Sequence, residues 1–276
     1  MNLFTIETGH FKLDGGAMFG VVPKSIWNKA NPADENNMIS LAMRCLLVQD
    51  GDRLMLIDNG MGNKQDAKFF GYYFLHGNHN LDASLAKHGF SRNDITDMVL
   101  THLHFDHCGG SIQYNADKSK LETAFPNATY WVAEDHWNEA MMPNSREKAS
   151  FLKDNIMPIQ ESGQLQLLKA GQQFHADIDL LFSKGHTQSM MHPLVPYNGS
   201  KLIYLADVIP TQAHLPIPYV MGYDVRPLDT MKEKSDILTM AAENNWVLYF
   251  EHDPIHEACT VEQTEKGIRL REQVKI

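Results

Sequence analysis

The chain has 276 residues, 43% of them hydrophobic and 21% charged, which permits a sizeable buried core and excludes global disorder. Lys and Arg number 24 against 34 Asp and Glu, so the formal net charge of −10 argues against a nucleic-acid backbone or an anionic membrane surface as the main partner. The 3 cysteines, Cys45, Cys108 and Cys259, form no C-x-x-C pair, which excludes a disulfide scaffold and a thiolate zinc knuckle, and leaves the 14 histidines as the compositional oddity.

The first residues carry neither a basic stretch nor an apolar one, and no run approaches the ~18 apolar residues of a membrane span. The expectation is a soluble cytoplasmic protein. Ile39–Val48 and Arg53–Ile57 are apolar runs joined by Asp50-Gly51-Asp52, which predicts a β-hairpin running into the loop Asp58–Gly62. The segment 63–80 is dense in aromatic residues from Phe69 to Phe74 and reads as a pocket lid or an oligomer contact.

Asn80–His88 predicts a helix stopped by Gly89, and Ser91–Asp94 a short helical turn. Asp97–Thr101 and Ala128–Val132 read as strands, Glu134–Met141 and Ser145–Asn155 as helices. Leu165–Leu168, Ile178–Phe182 and Lys201–Leu205 read as strands, Lys232–Asn244 as a helix, and Trp246–Phe250 as a buried strand. The polar tail from Val261 to Ile276 reads as a hairpin or a helix. The pattern restarts after about residue 160, suggesting two similar sheet-plus-helix halves packed as one unit.

The strongest local feature is Thr101-His102-Leu103-His104-Phe105-Asp106-His107-Cys108-Gly109-Gly110, directly after an apolar strand. In an extended segment His102 and His104 point to the same side. Asp106 and His107 must then turn, and Gly109-Gly110 permits a sharp turn into a helix. Such a run can serve two adjacent ions, and its imidazole and carboxylate donors suit zinc, manganese or iron, with zinc the commonest choice. His186, Asp207 and His252 each stand just beyond a predicted strand, where open α/β architectures place their sites.

With these residues in view, the sequence resembles the metallo-β-lactamase superfamily of metal-dependent hydrolases. The H-x-H-x-D-H signature is matched by His102, His104, Asp106 and His107, the later motifs by His186, Asp207 and His252, and the early aspartate by Asp58. The resemblance implies an αββα sandwich in a single domain spanning 1–276. It implies one ion on His102, His104 and His186, a second on Asp106, His107 and His252, and Asp207 bridging them. Asp58 would fix a ligand histidine by accepting its other ring N–H.

A zinc-bridged hydroxide in such a dinuclear site attacks a carbonyl or phosphoryl centre while one ion polarises the electrophilic oxygen. Asp106 would both ligate and take up the proton after attack. Asp207 stands where a true β-lactamase carries cysteine, and His104 rather than glutamate argues against the di-iron flavoprotein branch. The arrangement around Asp14–Lys24 and Trp27 resembles the subgroup of acyl-homoserine lactonases and methyl-parathion-hydrolase-like enzymes. There residues 1–38 would form a loop segment near the pocket, with Met18, Phe19, Val22 and Trp27 as wall candidates or as apolar cover of the sheet. His192 and His214 are further substrate-facing candidates, with a satisfied structural histidine as the default reading of each, and Tyr223 and Asp224 are substrate-facing candidates too.

The function expected is therefore a dinuclear hydrolase opening a lactone or cleaving a small ester. The alternatives are a phosphotriester or arylester hydrolase on the same site, and a mononuclear iron persulfide dioxygenase. The partner expected is a small-molecule substrate, without nucleic acid or membrane, and a homodimer is a further expectation.

Overall fold

The computed structural model describes residues 1–276. Two compact units share the chain: Met1–Gly9 with Met43–Gln172, and His10–Ala42 with Gln173–Ile276. The second half thus begins at Gln173, about a dozen residues later than the sequence pattern suggests, and takes back an N-terminal stretch.

The N-terminal segment is not a loop. It opens with the 13-residue strand β1 (Asn2–Asp14), followed by short helices α1 (Gly15–Phe19) and α2 (Lys24–Trp27). The strand escapes sequence reading because Gly9, at φ 138°, and several polar residues interrupt its apolar alternation. Asp14 caps α1, its Oδ1 accepting from Ala17 N at 2.7 Å. Strand β2 (Met38–Asp50) follows, and the chain crosses from one unit to the other within β1 and within β2.

In the first unit β2 and β3 (Arg53–Ile57) form the expected hairpin, Asp50 opposite Arg53, with Gly51 at φ 57° in the turn. Helix α3 (Ala67–Tyr73) comes next, from the aromatic segment, with Asp66 as its cap. Helix α4 (Leu81–Lys87) begins at Asn80, whose side chain accepts from Ala83 N at 2.9 Å. Strand β4 (Asp97–Val99) leads to the one-turn helix α5 (Phe105–Cys108). A small ribbon of β5 (Ile112–Tyr114) and β6 (Leu121–Thr123) precedes β7 (Thr129–Ala133), α6 (Glu134–Met141), α7 (Lys153–Glu161) and β8 (Leu165–Leu168).

The helix expected over Ser145–Asn155 is replaced by a turn, with α7 starting only at Lys153. Asn144 is the cause: its side-chain oxygen accepts from Arg146 N at 2.9 Å and Glu147 N at 3.1 Å, giving the backbone a local alternative to helix. The sheet runs β1-β2-β3-β4-β7-β8, and β3, β4, β7 and β8 are mutually parallel. Leu47, Leu56, Met98, Leu100, Phe125 and Tyr130 are among its fully buried core.

The second unit continues with β9 (Asp179–Ser183), β10 (Met190–Tyr197) and β11 (Ser200–Tyr204). Helix α8 (Pro227–Asn244) opens on a proline at its first position, and β12 (Val247–Tyr249), β13 (Ala258–Thr264) and β14 (Gly267–Val274) close the chain. Pro193 and Pro196 mask β10, yet it pairs on both sides, with β9 and β11. The tail is a hairpin rather than a helix, Thr264 opposite Gly267 at φ 86°. The sheet runs β14-β13-β12-β11-β10-β9, and β11 with β12 is its parallel pair. The architecture is mixed α/β, with six-stranded sheets flanked by helices, and no helix is long and apolar enough to cross a membrane.

Candidate metal centre

In the first unit the parallel strands β3 and β4 open their C-terminal ends on one edge, and the ligand-type residues emerge there. Asp58 follows β3 immediately, in the left-handed region at φ 57°, a conformation that costs a β-carbon-bearing residue energy and is kept by surrounding contacts. Its contacts are three. Oδ1 accepts from Thr101 N at 2.8 Å, and Oδ2 accepts from the Thr101 hydroxyl at 2.7 Å and from His107 Nδ1–H at 3.1 Å.

With its proton given to Asp58, the Thr101 oxygen is left to accept from His102 Nδ1–H at 3.0 Å. The chain of bonds thus sets two tautomers, leaving Nε2 of both His102 and His107 as a lone pair. His102 Nε2 lies 3.1 Å from Nδ1 of His104, whose own Nε2 faces Glu147 Oε1 at 3.6 Å. Asp106 Oδ2 is 3.9 Å from His107 Nε2. All four ligand-type residues are buried, His102 and His107 completely.

Gly109 and Gly110 have a different role from the turn the sequence suggests. Gly109 has an ordinary helical φ of −62°. Both are needed for close approach: a Cβ would lie 2.1 Å from Met61 O at Gly109 and 2.3 Å from Asn59 O at Gly110. The ligand helix therefore packs backbone to backbone on the loop after β3. Lys64 reinforces the contact, its buried ammonium donating to Gly109 O at 2.6 Å with burial pulling its pKa down to about 8. Cys108 donates to Leu103 O at 3.3 Å, and burial pushes its thiol up to about 12, so it is an inert packing residue.

In the second unit the same logic recurs on the parallel pair β11 and β12. Asp207 stands three residues past β11, after Ala206 at φ 43°, and His252 three residues past β12, while His186 follows β9. Asp207 turns one oxygen to each imidazole: Oδ2 is 3.1 Å from His186 Nε2 and Oδ1 is 3.0 Å from His252 Nε2. Nδ1–H of His186 donates to Asp224 Oδ1 at 2.9 Å, and Nδ1–H of His252 donates to Ala42 O at 2.8 Å. Burial lowers the pKa of His186, but Asp207 and Asp224 outweigh it and raise it to about 10.

These two sets fit divalent cations on the chemistry of their donors. Nδ1 of His102, His107, His186 and His252 is held by an acceptor, which is how metal-ligating imidazoles are oriented and their tautomer fixed. His104 presents Nδ1 instead and turns Nε2 to a carboxylate. At Asp207 a carboxylate faces the Nε2 of two imidazoles whose Nδ1–H is already given to another acceptor, so lone pair meets lone pair there unless positive charge lies among them. The raised pKa of His186 is the same demand for positive charge, met in the protein alone by a proton.

Sequence reasoning missed the residues that hold this framework. Glu147 faces His104, and Nε2 of the fully buried His136 accepts from Leu103 N at 2.8 Å, fixing the backbone between His102 and His104. Thr101 and Lys64 gave no signal in isolation. Asp224, read as substrate-facing, is instead the partner of His186; its Oδ2 also accepts from Met221 N at 3.1 Å. The aromatic run carried a real signal, since α3 packs Tyr73 (4.6 Å, tilted) and Phe69 (5.4 Å, edge-on) against Phe105, inside the His102–His107 motif. Tyr72, Phe74 and Leu75 face solvent.

His192 and His214, weighed from the sequence between substrate contact and a structural role, are both fully buried. His192 Nε2 pairs with Ser183 Oγ at 2.8 Å, and burial drives its pKa down to about 4. His214 is satisfied at both nitrogens, by Thr211 Oγ1 at 2.8 Å and Met18 O at 2.9 Å, with burial driving its pKa down to about 3. Its ring stacks 4.4 Å from Phe19, which stacks 5.3 Å from Trp27. Met18, Phe19, Val22 and Trp27 thus sit buried in one cluster of the second unit, whereas Tyr223 is 39% exposed.

Residues 44–252 match the family model of the metallo-beta-lactamase superfamily, well over half of the chain. Among solved structures, a probable metal-dependent hydrolase from Staphylococcus aureus superposes with a TM-score of 0.89 at 29% identity, over 99% of this chain and 96% of that one. AidC, a dizinc quorum-quenching lactonase, superposes with a TM-score of 0.77 at 22% identity, over 99% and 95%. An N-acyl homoserine lactonase of Bacillus cereus is 21% identical over 248 residues, covering 85% of this chain and 87% of its own.

Proposed function

The chain belongs to the metallo-beta-lactamase superfamily, and from that premise we propose that it is a dinuclear metal-dependent hydrolase that opens a lactone or cleaves a related small ester. In this reading one ion would be held by His102, His104 and His186, the second by Asp106, His107 and His252, and Asp207 would serve both. The carrying observation is Asp207, whose two oxygens are each committed to a different imidazole. Zinc is the metal proposed, since neutral imidazole and carboxylate donors suit it. The lactonase relatives, one of them dizinc by its own description, support the same choice of chemistry.

Two divalent ions would supply Lewis acidity and a nucleophile available at neutral pH. The chain supplies the rest. The imidazoles are pre-oriented by their hydrogen bonds, so no reorganisation is needed when charge develops on the substrate. Asp106, nearly buried and beside His107, is the carboxylate proposed to take the proton released in the attack and return it to the leaving oxygen. The Phe69–Tyr73–Phe105 cluster gives Asp106 an apolar neighbour that suits the hydrocarbon part of a lactone or ester.

The test is metal content joined to a substrate panel. Elemental analysis of the purified protein is expected to give about two zinc per chain. Rates are then compared on acyl-homoserine lactones, aryl esters and a phosphotriester. Turnover confined to the last two removes the lactonase reading in favour of arylester or phosphotriester hydrolysis. One iron per chain with oxygen consumption in the presence of a small-thiol persulfide replaces it with a dioxygenase.

A further inference from the structure

A cavity lies in the first unit, between the C-terminal end of α6 and the start of α7. Its volume of about 520 Å³ falls within the roughly 300–1,000 Å³ of small-molecule sites. Met141, Met142, Phe151 and Met157 are among the side chains that make an apolar lining, and Lys148 and Lys153 are its only charged members. Neither lysine forms an ion pair, which is notable on a chain of net charge −10. Glu147, the neighbouring carboxylate, is turned away, to Asn144 and to His104.

The cavity is built, not an accident of a loose loop. The segment that forms its wall is tied to the ligand motif at separate points. Ser150 O accepts from Phe105 N at 3.1 Å, and the Phe151 ring packs 5.0 Å from His104 and 5.7 Å from His136. Phe151 therefore has a wall of imidazoles behind it and lines the cavity in front. Met side chains are unbranched and polarizable, and a methionine-lined recess adapts to flexible chains better than to one rigid shape.

We propose that this cavity binds an amphipathic organic anion, its unbranched apolar tail among Met141, Met142, Met157 and Phe151 and its anionic head between Lys148 and Lys153. Apolar burial supplies most of the affinity, at about 0.8 kcal/mol per buried CH₂, and the two ammonium groups select an anion over a neutral chain of equal length. A carboxylate and a phosphate monoester head share the chemistry.

The three methionines make the site directly observable. Protein labelled with ¹³C in the methionine methyl groups is titrated with decanoate, decyl phosphate and decanol, each below its micelle concentration. Saturable shifts of the Met141, Met142 and Met157 signals are expected with at least one of the two anions, with decanol binding at least tenfold more weakly. The double variant Lys148→Glu/Lys153→Glu alters two exposed side chains and is expected to weaken anion binding at least tenfold, with its other methionine signals in place. Absence of saturable shifts with both anions, decanol binding as tightly as they do, or an unchanged affinity in the double variant overturns the proposal. Metal content and hydrolysis do not enter the readout, so the outcome is independent of the proposed function.

Discussion

Asp224→Asn changes one atom type and isolates what the carboxylate does for His186. In the wild type, Oδ1 accepts from His186 Nδ1–H at 2.9 Å and Oδ2 accepts from Met221 N at 3.1 Å, in a residue only 2% exposed. The strap around it is clamped to the histidine by backbone too, through Val225 N to His186 O at 3.2 Å and Arg226 N to Gly185 O at 2.8 Å. The amide therefore keeps the shape and loses the charge, and it must turn its NH₂ either to Met221 N–H or to His186 Nδ1–H. A charge-assisted bond is roughly twice as strong as a neutral one, and loss of such a partner costs a metal site about 10–100-fold in affinity. That corresponds to about 1.4–2.7 kcal/mol.

The assay is competition for zinc against a chromophoric chelator, resolving two stepwise constants. Only the constant of the ion assigned to His186 is expected to fall, by about 10–100-fold, while the other moves by less than about threefold. Asp224→Ala, which leaves the imidazole N–H without its acceptor, is expected to lower the same constant further. Circular dichroism and thermal melting control for the fold. Two unchanged constants in a folded Asp224→Asn protein would refute the view that this carboxylate orients a metal-binding imidazole, and an equal fall in both would refute its assignment to one ion.

Three further outcomes follow from the geometry. His192 and His214 are held below the ordinary histidine value of 6.5 by burial, to about 4 and about 3, so the unfolded chain binds protons that the folded one does not. Their contribution is present above pH 6.5 and is lost as pH falls toward 3, by up to about 3 and about 5 kcal/mol respectively; urea titrations of wild type and His214→Gln between pH 7 and 4 should show a flatter acid limb in the variant. Asp58→Ala removes acceptors from Thr101 N, Thr101 Oγ1 and His107 Nδ1 at once. It is expected to destabilise by about 3–5 kcal/mol in chemical denaturation and to abolish tight binding of the ion assigned to His107, and retention of both would be incompatible with the bonding described. Gly110→Ala forces a methyl to within 2.3 Å of Asn59 O, and calorimetry should show a melting temperature lower by several degrees, in line with an overpacking cost of about 1–3 kcal/mol.

The candidate ligand residues stood out in the sequence because they are chemically rare in those positions and lie beside recognisable strands. His102 to His107 form a dense local motif, and Asp207 and His252 each follow an apolar run that could be little else but a buried strand. The hairpin at Asp50–Arg53 was legible for the same local reason. What failed was non-local. β1 and β10 lack alternation or carry prolines, and they are strands only because neighbouring strands pair with them. The turn at Asn144 overrode a helical pattern through side-chain bonds that spacing does not reveal.

The sequence by itself determined the donor chemistry, all nitrogen and oxygen, and the strand ends from which it emerges. Only the tertiary structure decided what each donor's other atom does. Asp58 reaches Thr101 and His107 across more than 40 residues, Glu147 reaches His104, Asp224 reaches His186, and Ala42 O receives His252 from 210 positions away. It also turned His192 and His214 from substrate candidates into buried struts. The physical reason is one of range. A ligand's identity is a property of one residue, whereas its tautomer and orientation are set by the hydrogen bond on its far side, and folding alone brings that partner within 3 Å.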